Sequence, residues 1–164
     1  MFSKKMQKAL NDHLNAELYA AYLYLAMAAY FESTHLPGFA NWMRMQSREE
    51  MAHAMRFYEY INERGGRVEL QAIDKPPVNF KSPLAVFEQA LKHERVVSKE
   101  IDKLFDMARK EKDYASEVFL QWFVTEQVEE ERSAEAVVEA LKMIGDQRPA
   151  LLMYDRELGQ RQAE

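Results

Sequence analysis

Apolar residues recur at three- and four-residue spacings over four long stretches of the chain, roughly 4–32, 38–64, 83–111 and 113–144, with almost no glycine or proline inside them. That period lays one apolar stripe along each stretch and predicts four amphipathic helices. Each spans about 27 to 32 residues, on the order of 40–48 Å at about 1.5 Å per residue. Pro37-Gly38 separates the first two, which are therefore expected as antiparallel neighbours. Gly65-Gly66 stops the second helix, and Ser82-Pro83 offers an N-cap followed by proline at the first helical position. Between these signals, residues 65–81 hold Val68-Glu69-Leu70 and Pro76-Pro77 without a regular period. At about 3.3 Å per residue this segment reaches roughly 56 Å, enough to run the length of a helix and start the third at the opposite end. The expected fold class is all-α: a four-helix bundle with one long crossover between helices 2 and 3, the third running parallel to the second. After Gly145, Pro149 to Leu158 is expected to form a short fifth helix with Leu151, Leu152 and Leu158 on one side.

Every predicted stripe is interrupted near its middle by acid. Glu17 is centred among Met6, Leu10, Leu14, Ala21, Tyr24, Ala28 and Phe31. Glu50 lies among Phe39, Met43, Ala54, Phe57 and Ile61, with His53 to one side, and Glu94 among Phe87, Ala90, Leu91, Val97, Ile101 and Phe105. On the fourth helix the stripe reads Val118, Phe119, Trp122, then Glu126, Glu129 and Glu130, then Ser133, Val137, Ala140 and Ile144. A single glutamate on an apolar stripe is ordinarily a neutralised or hydrogen-bonded acid, and a run such as Glu129-Glu130-Glu131 is ordinarily a solvated face. Four interruptions at matching depth are different. Burying Glu17, Glu50, Glu94 and Glu130 together costs several kcal/mol per charge, and no Lys or Arg stands at a stripe centre to offset it. Two divalent cations would balance the four charges. Hard oxygen donors with one imidazole suit ferrous iron or manganese, and zinc as a substitute.

The two halves of the chain echo one another. Glu94 follows Glu17 by 77 positions, Gln127 follows Glu50 by 77, and Glu130 follows His53 by 77. The same offset relates Leu10 to Phe87, Leu14 to Leu91, Tyr24 to Ile101 and Trp42 to Phe119, which suggests two helical hairpins with matching cores.

Composition narrows the chemistry further. A chain of 164 residues, 48% hydrophobic and 30% charged, is expected to form one domain over 1–164. Its net charge of −5, with no isolated basic block, argues against nucleic acid. The absence of cysteine excludes disulfides, zinc–thiolate sites and iron–sulfur clusters, and fits the cytoplasm. Leu18 to Phe31, the longest apolar run, is shorter than the about 20 residues a bilayer needs, so no membrane partner is expected. Lys4, Lys5 and Lys8 precede it, but Asp12, Asn15 and Glu17 intervene, which reads as a soluble, unprocessed start.

Taken together, Glu17, Glu49-Glu50-x-x-His53, Glu94 and Glu126-Gln127-x-Glu129-Glu130 resemble the prokaryotic non-haem ferritins, and the resemblance extends over the whole chain. It implies a ferritin-like bundle that assembles as a homo-oligomeric cage of twenty-four chains. It also implies a ferroxidase that oxidises Fe(II) with dioxygen and stores the product as a ferric mineral. Carried onto this sequence, the resemblance assigns Glu17, Glu50 and His53 to a first iron site. Glu50, Glu94 and Glu130 form the second, with Glu50 bridging and Gln127 hydrogen-bonding nearby. Glu49, Glu126 and Glu129, sharing Glu130, match a third iron site. Tyr24 and Trp122 resemble the aromatics beside such a centre, and by spacing alone they read equally well as core. Where a bacterioferritin-like repeat would carry a second Glu-x-x-His, this chain has Gln127-x-x-Glu130, implying a weaker second site through which iron passes. Met51 stands at the haem-ligating position of bacterioferritin, but helix packing is its ordinary reading and haem is not expected. The alternatives are a diiron oxidase or peroxidase on the same bundle, a haem-containing bacterioferritin, or a metal-free scaffold. His13, His35 and His93 are read as surface or structural positions.

Overall fold

Ser3 starts the first helix by accepting the Met6 N–H on its hydroxyl at 2.9 Å, and Ser82 does the same for Ala85 at 3.1 Å. In the computed structural model, which describes residues 2–162, the elements are α1 (Lys4–Ser33), α2 (Pro37–Glu63), α3 (Pro83–Glu111), α4 (Tyr114–Ile144) and α5 (Arg148–Leu158). No strand occurs among the described residues. The boundaries fall within a residue or two of those expected from the apolar period. Gly65 ends α2 with φ of +71°, and the following Gly66 N–H returns to the Ile61 carbonyl at 2.9 Å, a closure that favours glycine.

The crossover runs along α1, held by two asparagines one turn apart that behave like a neighbouring strand. Asn11 donates to the Arg67 carbonyl at 2.9 Å and accepts the Glu69 N–H at 2.7 Å. Asn15 donates to the Glu69 carbonyl at 3.2 Å and accepts the Gln71 N–H at 2.9 Å. Both asparagines are buried, so these bonds satisfy backbone groups that a loop would otherwise leave to water. The segment reaches the far end of α1, where Phe80 packs edge-on against Tyr30. From there α3 descends antiparallel to α1: Phe31 meets Phe87, Tyr24 meets Glu94, His13 meets Glu100 and Ser3 meets Glu111. It therefore runs parallel to α2, as the crossover length implied.

α5 caps the bundle end at the start of α2. Leu36 supplies no side-chain cap to α2, and Asp155 of α5 instead accepts the Phe39 N–H at 2.9 Å. The approach requires Gly38, where an added Cβ would lie 1.5 Å from the Asp155 carbonyl oxygen. Leu158 is buried and Leu151 half-buried, but Leu152 is 53% exposed, correcting the expectation that all three share a face. At about 100° per residue, Leu151 and Leu152 cannot both point inward on so short a helix.

Two apolar clusters fill the bundle, one toward each end. One gathers Met27, Phe31, Phe39, Phe87 and Val137, and the other Leu10, Phe57, Ile101, Leu104 and Phe123. Two further corrections concern helix faces. Leu104 and Ala108, more than the half-buried Phe105, complete the α3 stripe. On α4 the buried line is Ser116, Leu120, Phe123, Gln127, Glu130, Ala134, Val137, Val138 and Leu141, whereas Val118, Glu129 and Ser133 are exposed. Bulky apolar residues on α4 cover a wide arc, and packing of Phe123 on Phe57 at 4.4 Å selects which part faces in. The layer between the clusters is polar.

Candidate metal centre

That layer is built one turn at a time from four helices. α1 contributes Glu17, α2 contributes Glu50 and His53, α3 contributes Glu94 and α4 contributes Glu130; all five side chains are buried. One ligand atom from each of Glu17, Glu50 and His53 lies within 4.8 Å of the others, as do atoms of Glu50, Glu94 and Glu130. Glu50 is common to both groups. A third group of the same spread joins His53, Glu126 and Glu130. Glu17 Oε2 is buried without a hydrogen-bond partner, while its Oε1 lies 2.9 Å from His13 Nε2. An orphaned carboxylate oxygen facing other carboxylates is costly in a closed core and suits a cation ligand.

The protonation behaviour of the metal-free cluster shows the same frustration. Burial, with Glu50 as neighbour, pushes Glu94 up to about 8, and burial pushes Glu50 up to about 7. Glu130 is raised well above the usual carboxylate range by burial and by Glu50 and Glu94, and Glu17 is raised by burial. Burial alone would lower His53, yet contact with Glu50, 3.3 Å from its Nδ1, carries it up to about 9. Protons substitute for missing positive charge here, and bound cations would displace them.

Neighbouring donors hold the carboxylates. Tyr24 donates its hydroxyl to Glu94 Oε1, and Gln127 Nε2 lies 3.2 Å from Glu94 Oε2. Gln46 Nε2 donates to Glu50 Oε1 at 3.0 Å and to Glu130 Oε2 at 2.6 Å. Trp122 packs edge-on against His53, and Arg56 stacks on the Trp122 ring at 3.7 Å. Beside them a surface cavity of about 480 Å³, lined by Glu49, His53, Arg56, Trp122 and Glu126, opens next to the centre.

The structure thus brings together Glu17, Glu50, His53, Glu94 and Glu130, with Tyr24 and Gln127 in contact. It treats the residues of the expected third site unequally. Glu126 is half-buried and joins His53 and Glu130, Glu49 pairs with Arg161 at 2.8 Å, and Glu129 is exposed outside all three groups. Met51 is 46% exposed on α2. His13, read as surface or structural, is buried against Glu17, and His93 is half-buried beside Tyr19 and Tyr24. Gln46, His13 and Arg161 were not singled out by the stripes. Gln46 and His13 stand four residues before Glu50 and Glu17, a spacing that marks a helical neighbour. Arg161 lies beyond any periodic segment and left no signal.

A family model for the ferritin-like domain matches residues 7–144. The chain is 46% identical to a bacterial non-heme ferritin of Bacteroides fragilis over 161 residues, 98% of this chain and 100% of that protein. It is 44% identical to a bacterial non-heme ferritin of Staphylococcus aureus over 98% of this chain and 97% of that one. Among solved structures, it is similar to an open pore ferritin from the hyperthermophilic archaeon Archaeoglobus fulgidus, with 54% identity, a TM-score of 0.98 and 98% of each chain covered. An engineered closed form of that archaeal ferritin gives 53% identity and a TM-score of 0.99 over 100% of both chains.

Proposed function

The chain belongs to the ferritin-like family and is an iron-storage protein, and we propose that it oxidises Fe(II) with dioxygen at the Glu17, Glu50, His53, Glu94 and Glu130 centre. Iron is the substrate and cargo of this site. Glu17, Glu50 and His53 hold one Fe(II), and Glu50, Glu94 and Glu130 hold the other, with Glu50 between them. Each Fe(II) gives up one electron, and dioxygen takes the pair with two protons. Carboxylates suit the task because they ligate both oxidation states and bind weakly enough for product to leave.

Glu50 carries this reading, since it is the side chain common to both ligand groups. The cavity beside His53 supports an exit past Glu126, with Glu126 and Glu130 as a third, transient iron position. Glu129 and Glu49 take part there only if bound iron draws them in. No helix among the described residues is long and apolar enough to cross a membrane, which agrees with a cytoplasmic setting.

The chain acts as one domain over 1–164 and assembles as a homo-oligomeric cage of the twenty-four-chain type. Tyr22 and Leu25 on α1 and Val78 on the crossover are exposed around a groove of about 570 Å³, an apolar surface suited to a second copy. Anaerobic titration tests the metal reading: about two Fe(II) per chain should bind tightly, and air should then oxidise them rapidly. Absence of tight binding at this stoichiometry would reject the paired site.

A further inference from the structure

Gln46 is 1% exposed, sits one turn before Glu50 on α2, and has an amide with two unlike sides. Its nitrogen donates to Glu50 and Glu130, while its oxygen accepts from Arg161 Nη2 at 2.9 Å. Arginine can only donate, and carboxylates ionised to hold a cation can only accept, so a single amide orientation satisfies all three partners. Arg161 lies on the segment after α5 and is itself fixed from several directions. Its guanidinium stacks on Trp42 at 4.2 Å, reaches the Trp42 carbonyl at 3.3 Å and pairs with Glu49 at 2.8 Å. Its own carbonyl accepts from Asn41 Nδ2 at 3.0 Å.

We propose that Arg161 is a positioning residue for the metal centre, acting through the Gln46 amide on Glu50 and Glu130. The inference rests on the reading of those two glutamates as iron ligands. Without Arg161 the Gln46 oxygen loses the donor that anchors it, and the amide is held only by the two carboxylates it is meant to space, so it shifts with them. Glu50 and Glu130 then lose the anchored donor that fixes the spacing of one oxygen on each. Because Glu50 belongs to both ligand groups, the error reaches both iron positions. The segment following α5 therefore sets the geometry of a centre whose ligands all lie on α1 to α4.

A double-mutant cycle tests this, using Arg161→Ala, Gln46→Leu, the double variant and Arg161→Lys, with Arg156→Ala as an exposed charge-loss control on α5. Anaerobic Fe(II) affinity, initial oxygen uptake and the visible spectrum of bound Co(II) are measured on assembled protein. Arg161→Ala and Gln46→Leu should each weaken iron binding by about tenfold, the scale for losing a partner that orients a metal ligand. Both should change the Co(II) spectrum in the same way. The double variant should be no worse than Gln46→Leu, Arg161→Lys should recover part of the loss, and Arg156→Ala should match wild type. Wild-type affinity and spectrum in Arg161→Ala would overturn the inference alone, as would additive losses in the double variant. Failure of the wild-type protein to bind Fe(II) would instead overturn the iron reading, and this inference with it.

Discussion

His13 Nε2 lies 2.9 Å from Glu17 Oε1 in the bundle interior, leaving Glu17 Oε2 as the oxygen without a protein partner. Burial lowers His13 to about 4, so near neutral pH the ring is uncharged and must carry its proton on Nε2 to serve the carboxylate. The histidine thereby engages one oxygen of Glu17 and leaves the other without a hydrogen-bond partner.

His13→Ala should weaken iron binding at the Glu17 position by about tenfold, while His13→Gln, which keeps a donor, should recover much of it. Anaerobic titration with Fe(II) reads both. Equal affinity in His13→Ala and wild type would remove His13 from the support of the site.

Glu50→Ala should abolish rapid oxidation and leave the assembly intact. The variant also removes the partner of His53 and an acceptor of Gln46, so the metal-free protein should still fold but denature somewhat earlier than wild type near pH 7. Oxygen consumption after Fe(II) addition, with thermal melting, checks both parts. Wild-type oxidation in this variant would show that the reaction happens elsewhere.

Metal-free protein should lose stability as pH rises from 6.5 to 9. Glu50 moves from 4.5 to about 7, Glu94 from 4.5 to about 8 and His53 from 6.5 to about 9 on folding, so the folded state holds extra protons that leave across this window. His13 and His93, both lowered to about 4 by burial, act in the other direction and only below 6.5, where the unfolded chain binds the additional protons. Zn(II) at saturation replaces the cluster's protons and should flatten the slope. Denaturation midpoints at pH 6.5 and 9, with and without Zn(II), measure this; a metal-free midpoint that rises with pH would contradict it.

Much of this arrangement is legible in the amino-acid sequence. Glu17, Glu50 and Glu94 announced themselves because each sits inside a narrow apolar stripe, where a charge has no ordinary reason to be. The α4 face was harder, since Val118, Phe119, Trp122, Phe123, Val124 and Val128 surround much of the helix and only contact with α2 and α3 decides its rotation. For that reason the apolar period points Glu129 inward, whereas the packed helix exposes it. Arg161 could not be found at all: its role depends on α5 folding back over Trp42 and Asn41, which are more than a hundred positions away in sequence.

Tyr24→Phe should leave the fold intact, at a cost of about 1 kcal/mol for one buried hydrogen bond. Glu94 then loses a donor that favours its ionised form, and its protonation shifts further upward. Iron affinity at the Glu94 position should fall near pH 7 and recover at higher pH. Titrations at pH 7 and 8.5 test this, and unchanged affinity at both would separate Tyr24 from the centre.

Light scattering on the metal-free protein after size exclusion, followed by Fe(II) addition with continuous oxygen measurement, examines storage and oxidation in one sample. The expected result is a large homo-oligomeric cage of about twenty-four chains that consumes oxygen rapidly and acquires an electron-dense ferric core. A particle of only a few chains that oxidises Fe(II) no faster than buffer would contradict it.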